Sequence, residues 1–289
     1  MYEYNKSIKS SVSDELINTY VLRPIAGLVV QSLYNTQVTP NQVTVASIIA
    51  GLIAAAVYTI DSHVAIVCAG LLVTLKDVLD SADGQLARAK QQYSRSGRFL
   101  DSIGDFVVNL AVFSVIGNTL SARHGNSEYG ILAVLGLAGI TLRVSYHVFY
   151  QVSFLHAEEK YQSNRITEEV READKSGDRS TLTLQNVFQK IYGWQDKLIL
   201  RIDDWCMGGQ RSDKFRKDWY TDVAGIRLSG FLGMGTELFL LTACSILNRL
   251  ELYLCLNALL MNGIFLLNLT YRRVVLRRLL LSKNKPLVD

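Results

Sequence analysis

Residues 80 to 105 read Asp80-Ser81-Ala82-Asp83-Gly84-Gln85-Leu86-Ala87-Arg88, then eight residues, then Gly97-Arg98-Phe99-Leu100-Asp101-Ser102-Ile103-Gly104-Asp105. Acids three or four positions apart fall on one face of an α-helix, so Asp80 and Asp83 share one helix and Asp101 and Asp105 the next. Side by side, the two helices bring four carboxylates together. Apolar runs flank this block, and at a membrane boundary such a cluster repels itself and is costly to desolvate unless cations neutralise it. Oxygen ligands of this kind select Mg²⁺ or Mn²⁺, and a pair of such ions suits phosphoryl-type transfer. Gly84, Ala87 and Gly97 leave room for a phosphate or a neighbouring helix. Arg88, one turn past Asp83 and Gly84, places a planar fork that can bond a phosphate or a ligating carboxylate. Its plainer reading is a positive charge that sets topology.

Working outward, 49% of the 289 residues are apolar and 19% charged, with mean hydropathy +0.18. That is too oily for an average soluble domain and too charged for an all-membrane chain. Six stretches approach or reach spanning length: 43–60, 63–79, 99–120, 130–150, 223–247 and 250–271. Pro24, Pro40 and Pro286 all avoid these runs, which favours long helices and an all-α polytopic membrane protein over a β-barrel. Before the first span, residues 13–34 place Leu16, Ile17, Tyr20, Val21, Ile25, Leu28, Val29 and Leu33 near a 3.6 period, which predicts an amphipathic helix on the membrane surface. The expected organisation is an interfacial segment over 1–38, spans one to four with the acidic block over 39–150, a polar insertion over 151–220, and spans five and six with a basic tail over 221–289.

Lys and Arg concentrate in the 88–98 connector, the insertion and the tail, and are scarce near Ser62, Arg123 and Arg249. Positively charged connectors stay cytoplasmic, so both termini and the acidic block are expected on that side. Cys68, Cys206, Cys244 and Cys255 show no CxxC spacing, and the four histidines no HxxxH or HExxH pattern, so neither disulfides nor a zinc site are expected. No nucleic-acid partner is expected either.

The block resembles the signature of the CDP-alcohol phosphotransferase family, D-x-x-D-G-x-x-A-R, eight residues, G-x-x-x-D-x-x-x-D, at every defined position. Pro40, Asn41 and Thr44 resemble the Pro-Asn-x-x-Thr start of that family's first membrane helix, and the six-span layout agrees. The resemblance implies that Asp80, Asp83, Asp101 and Asp105 hold divalent metals and that Asp105 is the base for the acceptor hydroxyl. It implies a cytidine nucleotide over Gly84, Ala87, Arg88 and Gly97, with Asn41 and Thr44 close by. It further implies a CDP-alcohol donor such as CDP-diacylglycerol, an alcohol acceptor, release of CMP, a setting in phospholipid synthesis, and a homodimer.

Two readings outside the signature complete the expectations. Arg143 and Arg227 sit in apolar surroundings, where they either bind an anionic headgroup or snorkel to the interface. The insertion, with weak amphipathic patches near 182–191 and 198–205 on either side of a turn-like Gly193, reads as a surface hairpin anchored by Trp194, Trp205 and Trp219. A CDP-linked polar alcohol is the alternative donor. A cation transporter would show internal repeats, and it gives Gly84, Ala87, Arg88 and Gly97 no role.

Overall fold

A computed structural model describes residues 2–7, 12–158, 168–175 and 177–283. The remaining parts of the interfacial segment (1, 8–11), of the insertion (159–167, 176) and of the basic tail (284–289) lie outside the described residues. Among the described residues the chain is helical throughout, with no strand. Its principal elements are α1 (Arg23–Leu33), α2 (Pro40–Val57), α3 (His63–Lys90), α4 (Arg95–His124), α5 (Glu128–Ala157), α6 (Arg179–Met207), α7 (Asp213–Tyr220), α8 (Val223–Ser229), α9 (Met234–Ile246), α10 (Leu250–Cys255) and α11 (Asn262–Lys283).

Among the described residues, four helical stretches are long and apolar enough to cross a membrane: Pro40–Val57, Arg95–His124, Glu128–Ala157 and Leu250–Leu281. The last of these passes through a π-helical turn, Leu256–Met261, between α10 and α11. A fifth span exists if the bent pair Val223–Leu232 and Met234–Ile246, which meet at 41°, is counted as one. Large apolar side chains face outward from these stretches, among them Ile49, Ile131, Leu135, Leu259, Leu266 and Leu267, as expected where lipid is the solvent. The chain therefore reads as a multi-pass membrane protein. α3 stands apart, because Lys76, Asp77, Asp80 and Asp83 interrupt its apolar sequence.

Local chemistry explains where the site-bearing helices start. Thr39 and Gln42 form a reciprocal capping box ahead of Pro40, the Thr39 hydroxyl accepting from the Gln42 amide and the Gln42 side chain accepting from the Thr39 amide. Ser94 caps α4 by accepting a hydrogen bond from the Gly97 amide at 2.8 Å. α3 ends at Gln91, whose left-handed backbone (φ 54°) turns the chain toward α4. α2, α3 and α4 pack together around Ala54, Ala69, Val73, Val108 and Val112, with α9 and α10 closing the same core through Leu241, Cys244 and Tyr253.

Two expectations are corrected. Gly193 is no turn: α6 runs unbroken through it, and Gly193 is buried. A glycine inside a helix costs about 1 kcal/mol relative to alanine, and here packing along α4 and α5 offsets it. Phe188 meets Phe99 at 5.3 Å, the Tyr192 hydroxyl donates to the Ser102 carbonyl at 2.8 Å, and the Ser145 hydroxyl donates to Gln195 at 2.8 Å. The run at 223–247 is likewise not one straight helix. It breaks at Gly233, where the Glu15 carboxylate reaches in from the N-terminal segment and accepts from the Thr236 amide at 3.2 Å, capping α9. The 13–34 segment carries a π-turn at Asn18–Leu22 just ahead of Pro24. It buries Leu22, Ala26 and Val30 against α3 and leaves Tyr20, Val21, Ile25 and Leu28 exposed.

Candidate active site

The acidic block lies where α3 and α4, both packed on α2, face one another near the first turns of α2. Asp80, Asp101 and Asp105 each direct one carboxylate oxygen into a space where all three atoms lie within 4.8 Å of one another. Asp83, on the same face of α3 as Asp80, is turned to α2, where the Thr44 hydroxyl donates to its Oδ2. Oδ1 of Asp101 is buried without a hydrogen-bond partner. A buried anionic oxygen in that condition is costly, and a divalent cation is the group whose chemistry relieves it. The residues thus fit a Mg²⁺ or Mn²⁺ ion, with all-oxygen ligands from two helices.

Asn41 and Gly97 touch directly: a Cβ built on Gly97 would collide with the Asn41 side-chain oxygen. Here the glycine leaves room for a side chain rather than a backbone, since it lets Asn41 at the start of α2 rest against the start of α4. Gly84 meets nothing closer than the Arg88 guanidinium, whose Nη1 would lie 3.4 Å from a Cβ there, so no neighbouring helix accounts for this glycine. Arg88 donates from Nε to the Ser7 carbonyl, and Ala87 is half-buried beside it. Replacing Gly97 by Ala is expected to push Asn41 aside while leaving the fold intact. If Asn41 helps to hold the donor, the loss of about one hydrogen bond, roughly 1 kcal/mol, appears as a several-fold rise in KM for the CDP-alcohol with an unchanged melting temperature.

The two apolar-region arginines do not join this group. Arg143 is fully engaged elsewhere: it pairs with Glu237 and donates to Asn262 at 2.6 Å and to the Asn257 carbonyl at 3.3 Å. Arg227 is exposed and lines a shallow cleft with Asp14, Leu16, Thr19 and Tyr20.

Three features escape a motif-based reading. Lys76, one turn before Asp80 on α3, drives its ammonium into the cluster, pairing with Asp105 and lying 3.5 Å from Asp80. Its only signal in the sequence is a lysine inside an apolar run at i−4 from the first motif acid. Tyr192 of α6 stands over the same end of α4. Burial above all, and then the negative charge of Asp105 and Asp101, push its phenol above the ordinary value, so it remains a protonated donor. Finally, Glu168 and Asp174 clamp the start of α4. Asp174 pairs with Arg95 at 2.8 Å, while Glu168 takes Arg95 at 3.0 Å and also Arg98. Both acids lie in the insertion, which therefore borders the site.

An all-helical membrane domain with carboxylates converging from two adjacent helices is the class this geometry defines. Residues 37–169 match the model of the CDP-alcohol phosphatidyltransferase family, and this part of the chain is a domain of that family. Among curated proteins the chain is similar to the bifunctional IPC transferase and DIPP synthase of Thermococcus kodakarensis, 32% identical over 133 residues, covering 46% of this chain and 29% of that protein. Proteins of the same name from Archaeoglobus fulgidus and Aquifex aeolicus are 33% identical over 110 residues and 29% identical over 131 residues. The first covers 38% of this chain and 21% of the relative, the second 45% and 29%. The chain thus spans under a third of the length of the relatives it matches.

Proposed function

We propose that this protein transfers a phosphoalcohol group from a CDP-linked donor to the hydroxyl of an acceptor alcohol, releasing CMP. The observation that carries the reading is the convergence of Asp80, Asp101 and Asp105 around a buried, unpartnered carboxylate oxygen, within a domain of the CDP-alcohol phosphatidyltransferase family. Asp80, Asp83, Asp101 and Asp105 hold divalent metal, Mg²⁺ or Mn²⁺, which when bound neutralises charge on the pyrophosphate and on the departing nucleotide. The nucleotide lies against Gly84, Ala87, Arg88 and Gly97, with Asn41 and Thr44 beside it. Thr44 holds Asp83 in place. Asp105 takes the proton of the acceptor hydroxyl as its oxygen attacks the distal phosphorus; a new P–O bond forms, the bond to the CMP phosphate breaks, and CMP leaves with that electron pair.

The donor in this reading is CDP-diacylglycerol, used in phospholipid synthesis, because the site lies among helices whose outer faces suit lipid. A second reading takes a CDP-linked polar alcohol as donor. It is favoured by the relatives, none of which is named as a phosphatidyltransferase. α3 counts as a sixth span here, its charges facing protein rather than lipid. The Lys and Arg distribution then supports cytoplasmic termini and a cytoplasmic site. A homodimer accompanies this reading.

The test is CMP release by protein in detergent or nanodiscs with Mg²⁺ or Mn²⁺. CDP-diacylglycerol and CDP-linked polar alcohols are offered separately, each with a panel of acceptors. Acceptor-dependent CMP release that EDTA abolishes supports the transferase, and the donor that works selects between the readings. Failure of every pair in protein that still binds metal would sink it.

A further inference from the structure

Lys76 is an unusual residue to find in a carboxylate cluster meant for metal. Its side chain is 3% exposed, and its ammonium pairs with Asp105 and sits 3.5 Å from Asp80, two of the three acids whose oxygens converge. The stem is as confined as the head. α2 passes α3 at Gly51, where a Cβ would stand 3.2 Å from Lys76 Cγ and closer still to the Val108 methyls. Ser47, one turn earlier on α2, donates to the Lys76 carbonyl at 3.1 Å. A glycine on α2 therefore makes room for this side chain, and the backbone beneath it is pinned. Lysine near a helix end escapes to water by snorkelling, but a stem walled by α2 and α4 leaves Lys76 no such route.

We infer that the Lys76 ammonium stands in for one of the two divalent ions expected of such a site, so that this site holds a single Mg²⁺ or Mn²⁺. An ammonium bonded to Asp105 and close to Asp80 takes carboxylate oxygens that a second ion would share, and it supplies there part of the positive charge that ion would bring. What stays open to metal is Asp101, the one converging acid that Lys76 does not engage, with its unpartnered Oδ1, together with the oxygens of Asp80 and Asp105 that the ammonium leaves free. Lys76 also holds Asp105 in one orientation, so that this carboxylate, one of the four metal ligands in the reading above, meets the remaining ion and the acceptor proton from a fixed position. In this role Lys76 is a positioning residue. The inference rests on the phosphotransfer reading of the site.

The experiment counts ions rather than turnover. Purified full-length protein is stripped with EDTA and reloaded with Mn²⁺, bound metal is measured by mass spectrometry, and the spin state by low-temperature EPR. Wild type is expected to hold about one Mn²⁺ per chain with an isolated-ion spectrum. Lys76→Met is expected to hold about two with a magnetically coupled spectrum, since ions in two-metal sites lie roughly 3.5–4 Å apart. Lys76→Gln, with a polar side chain of similar reach, serves if the Met variant does not fold, and the wild-type count stands without either. A coupled pair in wild type overturns the inference and leaves the transferase reading intact. One ion in wild type and in both variants also overturns it. No Mn²⁺ bound to any of the three removes metal from the site altogether, and with it both this inference and the metal-dependent reading on which it rests.

Discussion

Asp105→Asn is expected to abolish acceptor-dependent CMP release, lowering kcat by about 10²- to 10⁴-fold, the range spanned by removal of a positioned general base. Asparagine keeps the size and one oxygen of the aspartate but cannot take a proton from the acceptor hydroxyl. The substitution also breaks the pair with Lys76, leaving that ammonium with Asp80 alone. Loss of structure and loss of the base must therefore be separated. Melting temperature in detergent and Mn²⁺ uptake report on the first, and both are expected to survive in large part because Asp80, Asp83 and Asp101 remain. Activity within a few-fold of wild type would remove Asp105 from the mechanism and shift the search for a base to another group near the cluster. The same assay on Asp101→Asn tests the metal side. Activity and Mn²⁺ uptake should fall together there, whereas Asp105→Asn should separate them.

The largest expected effect on stability lies in the buried pair that Arg143 makes with Glu237. Arg143 and Glu237 pair with side chains 1% and 0% exposed, and the cage is completed by Asn257, which donates to Glu237 at 2.9 Å, and by Asn262. Removing one member of a buried pair strands the other charge without water. Glu237→Leu is expected to cost about 3–5 kcal/mol, read as a steep fall in melting temperature or failure to accumulate in the membrane. The double variant Arg143→Met, Glu237→Leu is expected to recover much of that loss, because a well-packed apolar pair often replaces a buried ion pair at little cost. If the double variant is as unstable as the sum of the single ones, the pair does not act as a unit. If Arg143→Met alone melts like wild type but loses activity, Arg143 belongs to substrate binding after all.

These residues also show what a sequence can and cannot display. The acidic block was legible because helical spacing is a local property: Asp80 with Asp83 and Asp101 with Asp105 were assigned to shared faces before any packing was known. Pro40, Asn41 and Thr44 likewise marked the start of α2, since the Pro-Asn-x-x-Thr run is local in the sequence. Long-range partnerships left no such trace. Nothing near Arg143 points to Glu237, 94 residues on, so a charge in an apolar run stood open between a headgroup ligand and a snorkelling side chain. Lys76 stands out in the sequence only as a charge where a lipid-facing helix would stay apolar, because its partner Asp105 and the walls around its stem belong to α4 and α2. Gly193 was read as a turn by local preference, and the contacts that keep it helical come from α4 and α5, far off in the chain. The break at Gly233 depends on Glu15, which belongs to a different segment altogether.

The charges within α3 bear on how the protein enters the bilayer. A helix offered alone to the translocation machinery is judged by its own composition, and a Lys or Asp near its centre costs about 2.5–3.5 kcal/mol. By that measure α3, with Lys76, Asp77 and Asp80 in succession, is a poor candidate for independent insertion. Its balancing charge, Asp105, is on the helix synthesised next, and the pocket that receives the lysine stem is on the helix made just before. In the six-span reading proposed above, the unit that partitions into lipid is accordingly the three-helix group of α2, α3 and α4. Assembly of the cluster and commitment to the membrane are then one event: the lysine and the acids that make α3 too polar to go in alone are the groups that hold it to its neighbours once it does.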